Sequence, residues 1–149
     1  MADRLTLEIA TPMRLVVAET VDEVVAPGIA GYFGVLPGHA PFLTTLGIGE
    51  VTYRVGQDEH YLALAGGFAE VRNDKVIVLA DTAERPEEID RARGERARER
   101  AERRLSAVTS EETIDYTRAA AAHARALARL QTAAGPGSRP VFSSARRQA

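Results

Sequence analysis

The stretch VTYRVGQDEHYLALAGGFAEVRNDKVIVL, residues 51–79, decides the fold. Val51, Tyr53 and Val55 alternate with Thr52 and Arg54, the period of two that marks a half-buried strand. A Gly56-Gln57-Asp58 turn follows, and Tyr61 to Ala65 returns from it. Gly66-Gly67 breaks that run, Phe68 to Arg72 resumes it, and Asn73-Asp74 has the chemistry of a two-residue hairpin turn. Val76 to Leu79 is a continuous apolar strand.

Upstream the texture is the same. Leu5, Leu7 and Ile9 alternate with polar neighbours, as do Leu15 and Val17. Val21 to Ala26 runs to Pro27-Gly28, Tyr32 to Leu36 stops at Pro37-Gly38, and Phe42 to Leu46 comes next. Many short strands, frequent turns and no helical period predict a β-sandwich or barrel to about Glu84.

Downstream the chemistry changes. Arg85-Pro86-Glu87-Glu88 fits a helix start, with proline in the first turn and carboxylates at the positive end of the dipole. Ile89, Ala97, Ala101 and Leu105 form a narrow apolar stripe on a heavily charged helix. Glu87/Arg91, Arg91/Glu95 and Glu99/Arg103 stand as opposite charges at i,i+4. Thr109 and Glu112 suit a capping box for a second helix, about Ser110 to Ala133. Its spacing points to Tyr116, Ala120, Ala124, Leu127 and Leu130 or Gln131 as the buried face. Two helices joined by a few residues predict an antiparallel hairpin over 85–134. Its facing stripes are mostly alanine, so it is expected to be weakly held. Residues 135–149, rich in Pro, Ser, Gly and Arg, read as a disordered tail.

Composition narrows the function classes. The 149 residues are 45% hydrophobic and 27% charged, as in a globular chain. Without cysteine there are no disulfides, thiolate metal sites or thiol nucleophiles, which suits a reducing compartment. No apolar run nears the roughly 20 residues of a membrane span, so a soluble, cytoplasmic protein is expected. Residues 1–84 carry 5 Lys/Arg against 12 Asp/Glu, and residues 85–149 carry 14 Arg against 9 Asp/Glu. Net charges of −7 and +5 suggest two segments with different partners.

No catalytic constellation stands out. His39, His60 and His123 are unpaired at metal-ligand spacing, so no metal is expected and a cupin-like enzyme is disfavoured. His60 and His123 read as surface or structural imidazoles. His39, in Pro37-Gly38-His39-Ala40-Pro41, reads as a loop tie or an interface residue. Gly66-Gly67 lacks a following helix and reads as a close backbone approach rather than a dinucleotide loop. The sandwich carboxylates read as solvated charges on outward faces. Residues 87–104 hold 7 Arg against 6 Asp/Glu and no aromatic, which argues against nucleic acid. The second helix carries Arg118, Arg125 and Arg129 without an acid beyond Asp115. It suits an acidic partner, and a solvated face equally well.

Three segments carry a resemblance: Gly34-Val35-Leu36-Pro37-Gly38-His39-Ala40-Pro41, Gly66-Gly67-Phe68-Ala69-Glu70-Val71 and Val78-Leu79-Ala80-Asp81-Thr82-Ala83-Glu84. In order and spacing they resemble bacterial F-type ATP synthase epsilon subunits, over about residues 3–133. The resemblance implies an α+β chain: a ten-stranded antiparallel sandwich (1–84), then the helical hairpin. It implies a non-catalytic central-stalk role, coupling proton translocation to ATP synthesis at the cytoplasmic face of the bacterial inner membrane. The implied partners are the gamma subunit, the c-subunit ring and the alpha/beta catalytic subunits. Ile29, Ala30, Gly31 and Tyr32 match the ring-facing segment. Pro37, Gly38, His39, Pro41, Gly66 and Gly67 match structural and shaft-facing parts. Arg118, Arg125 and Arg129 would belong to an inhibitory helix that can leave the sandwich. Some relatives bind ATP through an Ile-Asp-x-x-Arg-Ala motif, so no cofactor is required but regulatory MgATP is a candidate. Ile89, Asp90 and Arg93 match that motif, with Gly94 in place of alanine, and Glu84, Arg100, Arg125 and Arg129 stand at matching positions.

Overall fold

The computed structural model describes residues 3–106 and 113–135. The expected Thr109–Glu112 capping box and the tail from residue 136 lie outside them. Eight strands come first: β1 (Leu5–Ala10), β2 (Leu15–Val21), β3 (Glu23–Gly28), β4 (Gly31–Val35), β5 (Phe42–Thr45), β6 (Ile48–Val55), β7 (Asp58–Arg72) and β8 (Lys75–Glu84). A 3-10 turn over Pro86–Glu88 leads to helices α1 (Arg91–Ser106) and α2 (Thr113–Ala134). The order across the sheet is β2-β1-β8-β7-β6-β3-β4, with β5 added beside β7.

Eight strands replace the ten expected, partly because β7 is one strand of 15 residues. Gly66-Gly67 bends it without breaking it, at φ of 70° and 113°. Its first part pairs β6 through Asp58–Ala65, and its second pairs β5 through Phe68–Val71. The inward-facing set shifts at the bend, from Leu62 and Leu64 to Ala69 and Val71. On β8 it shifts likewise, from Val76, Val78 and Ala80 to Ala83. One folded sheet thereby makes both layers. The first holds β2, β1, early β8, late β7 and β5; the second holds late β8, early β7, β6, β3 and β4. Leu5, Leu7, Ile9, Val24, Val35, Val51 and Tyr53 fill the space between them. The sandwich is not wholly antiparallel, since β1 runs parallel to β8 from Thr6↔Lys75 to Ala10↔Leu79. The Asn73-Asp74 hairpin forms as the sequence indicates, both residues having positive φ, 49° and 57°.

The helices pack antiparallel, Gly94 against Leu130 and Glu102 near His123. Helix α1 starts at Arg91, later than Pro86 suggests. Asp90 caps it, accepting the Arg93 N–H at 3.0 Å. Ion pairs form from Arg98 to Glu95 (2.9 Å) and Glu102 (3.9 Å). Among the described residues none forms at the three i,i+4 spacings expected on this helix. The buried face of α2 is also rotated from expectation. Ala119, Ala126, Ala128 and Thr132 are buried, whereas Tyr116 and Leu127 are exposed. With alanine on nearly every face, hydrophobic periodicity carries little phase information there.

Between the layers and helices, the 85–88 segment is held to the sandwich. Arg14 Nη2 donates to both carboxylate oxygens of Glu88 at 2.7 Å, and Arg85 Nη2 donates to the Val16 carbonyl at 2.9 Å. The Arg14 bond, aided by the Arg85 N–H, holds the Glu88 carboxyl below its ordinary value of 4.5, against a weaker effect of burial. A lowered folded-state value gives stability that is present above the unfolded value and lost as pH falls through the folded one. Glu88→Gln is therefore expected to flatten the acid limb of stability, measured as urea midpoints from about pH 6 down to about pH 3. An acid limb identical to that of the parent chain would contradict the pairing.

Candidate binding surfaces

Three surfaces stand out, each set by strand register. The first is the β3–β4 turn. Gly28 pairs Gly31, leaving Ile29 and Ala30 as the loop, with Ile29 71% exposed. Tyr32, expected with them on the ring-facing segment, is 47% exposed beside the tip and also reaches β6. Its hydroxyl accepts the Glu50 N–H at 3.1 Å, and a Cβ on Gly49 would lie against that hydroxyl. Burial raises its phenol pKa, the Glu50 N–H opposing.

The second surface is the outer face of the first layer. Thr45↔Phe68, Phe68↔Leu79, Leu79↔Ala10 and Ala10↔Leu15 are successive cross-strand partners. Directly paired residues share a face. They form one row across five strands, its last step crossing the register shift between Ile9 and Ala10, with Phe68 at 57%, Leu79 at 57% and Leu15 at 59% exposure. Gly66 to Phe68 stand out in the sequence; the row does not, because it depends on the parallel β1–β8 register. Nearby, the Gly38 N–H donates to Asp74 at 2.7 Å, and His39 Nδ1 lies 2.6 Å from the Ala40 carbonyl, its ring edge-on to Phe42. His39 thus ties its own loop, between the flanking prolines Pro37 and Pro41.

The third surface is the opposite outer face, covered by α2. Glu50, Thr52, Tyr61 and Ala63 of β6 and β7 are buried there. Thr132 Oγ1 donates to Glu50 Oε2 at 2.7 Å. This carboxylate, expected in solvent, is 5% exposed beneath the helix. Nearby, Arg129 Nη2 donates to Glu84 Oε2 at 3.1 Å, and its Nε lies 2.9 Å from Oε1, off the N–H axis. A cleft of about 230 Å³ lies between helix and sheet, lined by Ala65, Thr82, Glu84, Ala97, Arg125 and Arg129 among others.

Of the residues matched to the nucleotide motif, Glu84, Arg125 and Arg129 meet at this cleft; Ile89, Asp90, Arg93 and Arg100 are not in its lining. Ile89 is buried, and Arg93, Arg100 and Arg118 are exposed. A Cβ on Gly94 would stand 3.0 Å from Leu130 Cδ2, so alanine there requires the leucine tip to shift by a few tenths of an ångström. His60 stacks on Tyr53 at 4.9 Å between ring centres, and His123 lies 3.4 Å from Glu102. Among the described residues no cluster of three or more His, Asp or Glu could hold a metal, and no helix is long and apolar enough to cross a membrane.

The chain is 52% identical over 133 residues to an ATP synthase epsilon chain of Syntrophobacter fumaroxidans, spanning 89% of this chain and 98% of that one. It is 50% identical over 131 residues to one from Nitratidesulfovibrio vulgaris, spanning 88% and 96%. Among solved structures, a chain of the Euglena gracilis mitochondrial ATP synthase OSCP/F1/c-ring assembly shares its fold, with a TM-score of 0.77 at 21% identity over 91% of this chain and 84% of that one. Residues 4–86 match the family described as ATP synthase, Delta/Epsilon chain, beta-sandwich domain, and residues 87–134 its long alpha-helix domain. With sandwich and helices both accounted for, the chain belongs to the delta/epsilon family of ATP synthase subunits.

Proposed function

We propose that the chain, a central-stalk epsilon subunit and not itself a catalyst, couples ion translocation to ATP synthesis through the sandwich and restrains ATP hydrolysis through the helices. One observation carries this reading: the exposed apolar row and the docked hairpin occupy opposite outer faces of the sandwich. One face can then stay seated while the other exchanges its helix.

In this reading the Leu15–Leu79–Phe68 row seats the sandwich on the gamma shaft. Three large apolar side chains more than half exposed in one row are the kind of patch that marks an interface. The Ile29–Gly31 turn faces the c-ring, which places the subunit peripherally at the cytoplasmic side of the bacterial inner membrane. Away from the sheet, Arg118, Arg125 and Arg129 would meet acidic segments of the catalytic head. The alanine-lined α2 interface suits such an exchange, because each buried methyl contributes only about 0.8 kcal/mol. Co-expression with gamma and the c-ring, followed by purification through a tag on gamma, tests the reading. The chain is expected in the complex at one copy per gamma; its absence would refute the reading.

Regulatory MgATP is a second reading, favoured by Arg125 and Arg129 converging on one cleft. Occupation would have to displace Glu84 from Arg129. Titration calorimetry of the chain with MgATP decides it: binding at millimolar ligand supports the site, and no heat at that concentration removes it.

A further inference from the structure

We infer that Glu50 couples the shape of the β3–β4 turn to the docking of helix α2. The two ends of this residue are held by different parts of the molecule. Its amide donates to the Tyr32 hydroxyl at 3.1 Å, and its carboxylate accepts from Thr132 Oγ1 at 2.7 Å.

The register explains how Tyr32 gets there. Strands β3 and β6 pair only from Glu23↔Arg54 to Val25↔Thr52. Beyond that point the Gly47 N–H bonds to the Pro27 carbonyl, so the ladder is interrupted at Gly49 and Glu50. The Tyr32 hydroxyl takes the place of a ladder carbonyl for the Glu50 amide. Gly49 makes this possible, since a Cβ there would stand 2.9 Å from Pro27 Cβ and closer still to the hydroxyl. Tyr32 pairs Pro27 and sits one residue past the exposed Ile29–Gly31 tip. Any displacement of the tip therefore pulls on the Glu50 backbone.

On the other side, Glu50 lies within the α2 footprint, 5% exposed, and Thr132 is fully buried. A buried hydroxyl and carboxylate are satisfied only in a narrow range of geometry. Shifting the Glu50 backbone lengthens the Thr132 bond and favours release of the helix. The inference requires only that α2 can leave the sheet, whatever it then binds, so it stands apart from the inhibitory role.

Native-state hydrogen exchange on the full-length chain tests it, reading α2 amides from Ala126 to Ala133 against those of β1 and β8. Thr132→Val, close in shape but lacking the hydroxyl, is expected to speed α2 exchange about tenfold, with β1 and β8 unchanged. Thr132→Ser, which keeps the hydroxyl, should retain most of the protection. Tyr32→Phe, which removes the hydroxyl that holds the Glu50 amide, should speed α2 exchange in the same direction. If Thr132→Val leaves α2 within about twofold of the parent, or accelerates sandwich and helix equally, the latch is wrong. If Tyr32→Phe leaves α2 exchange unchanged, the coupling is wrong.

Discussion

Gly67→Ala is expected to destabilise the chain by more than about 3 kcal/mol, the range reserved for severe steric and backbone mechanisms. Two causes combine. The residue has φ of 113°, where an L side chain is strained, and its new Cβ would lie 2.0 Å from the Leu79 carbonyl oxygen. That oxygen belongs to the adjacent strand, so no rotamer change relieves the clash. The neighbouring Ala80 Cα would be 2.8 Å away, which blocks escape in that direction. β7 bends here between layers, so the sandwich itself must deform. Chemical denaturation monitored by far-ultraviolet circular dichroism measures the effect. A loss below about 1 kcal/mol, typical of a tolerated substitution, would contradict the bend as described.

The second large effect concerns binding. The double variant Phe68→Asp, Leu79→Asp is expected to weaken retention on the gamma shaft at least about a hundredfold, roughly 2.7 kcal/mol. Both side chains are 57% exposed and point away from the core, so folding should survive. Two carboxylates in the centre of an apolar contact would be desolvated without partners, which is strongly unfavourable. Thermal unfolding of the variant should stay close to that of the parent, while co-purification with gamma is lost. Intact co-purification would move the shaft surface elsewhere.

Local chemistry made much of this molecule readable. The Asn73-Asp74 turn depends on neighbours in sequence and appears as expected, and Val51, Tyr53 and Val55 face the core as their alternation indicates; the strand is not half-buried, because Glu50 and Thr52 on its other face lie buried beneath α2. Gly66-Gly67 was legible as a close backbone approach. Its role as a bend inside one strand was not, because glycine permits either and only the pairing of β7 with both β5 and β6 decides. The parallel β1–β8 contact joins residues some seventy positions apart, and with it went the apolar row. Glu50 looked solvated because a carboxylate between Gly49 and Val51 gives no sign of a helix arriving from residue 132. The phase of α2 was lost to its alanines, since burial of a methyl leaves little periodic signal. Arg85 and Glu88 looked like the start of a helix and do begin a 3-10 turn over Pro86–Glu88; they also hold the linker to the sandwich, through Val16 and Arg14.

That linker also sets where the helices can be removed. Cutting after Glu84 would leave Arg14 without Glu88 and the Val16 carbonyl without Arg85, whereas a chain of residues 1–90 keeps both bonds. Incorporation of residues 1–90 into the reconstituted ATP synthase, with ATP hydrolysis measured on the same preparation, addresses the separation of the two faces most directly. Full incorporation together with hydrolysis faster than that of the full-length complex is the predicted result. A shortened chain that fails to assemble, or one that assembles and leaves hydrolysis unchanged, would contradict it.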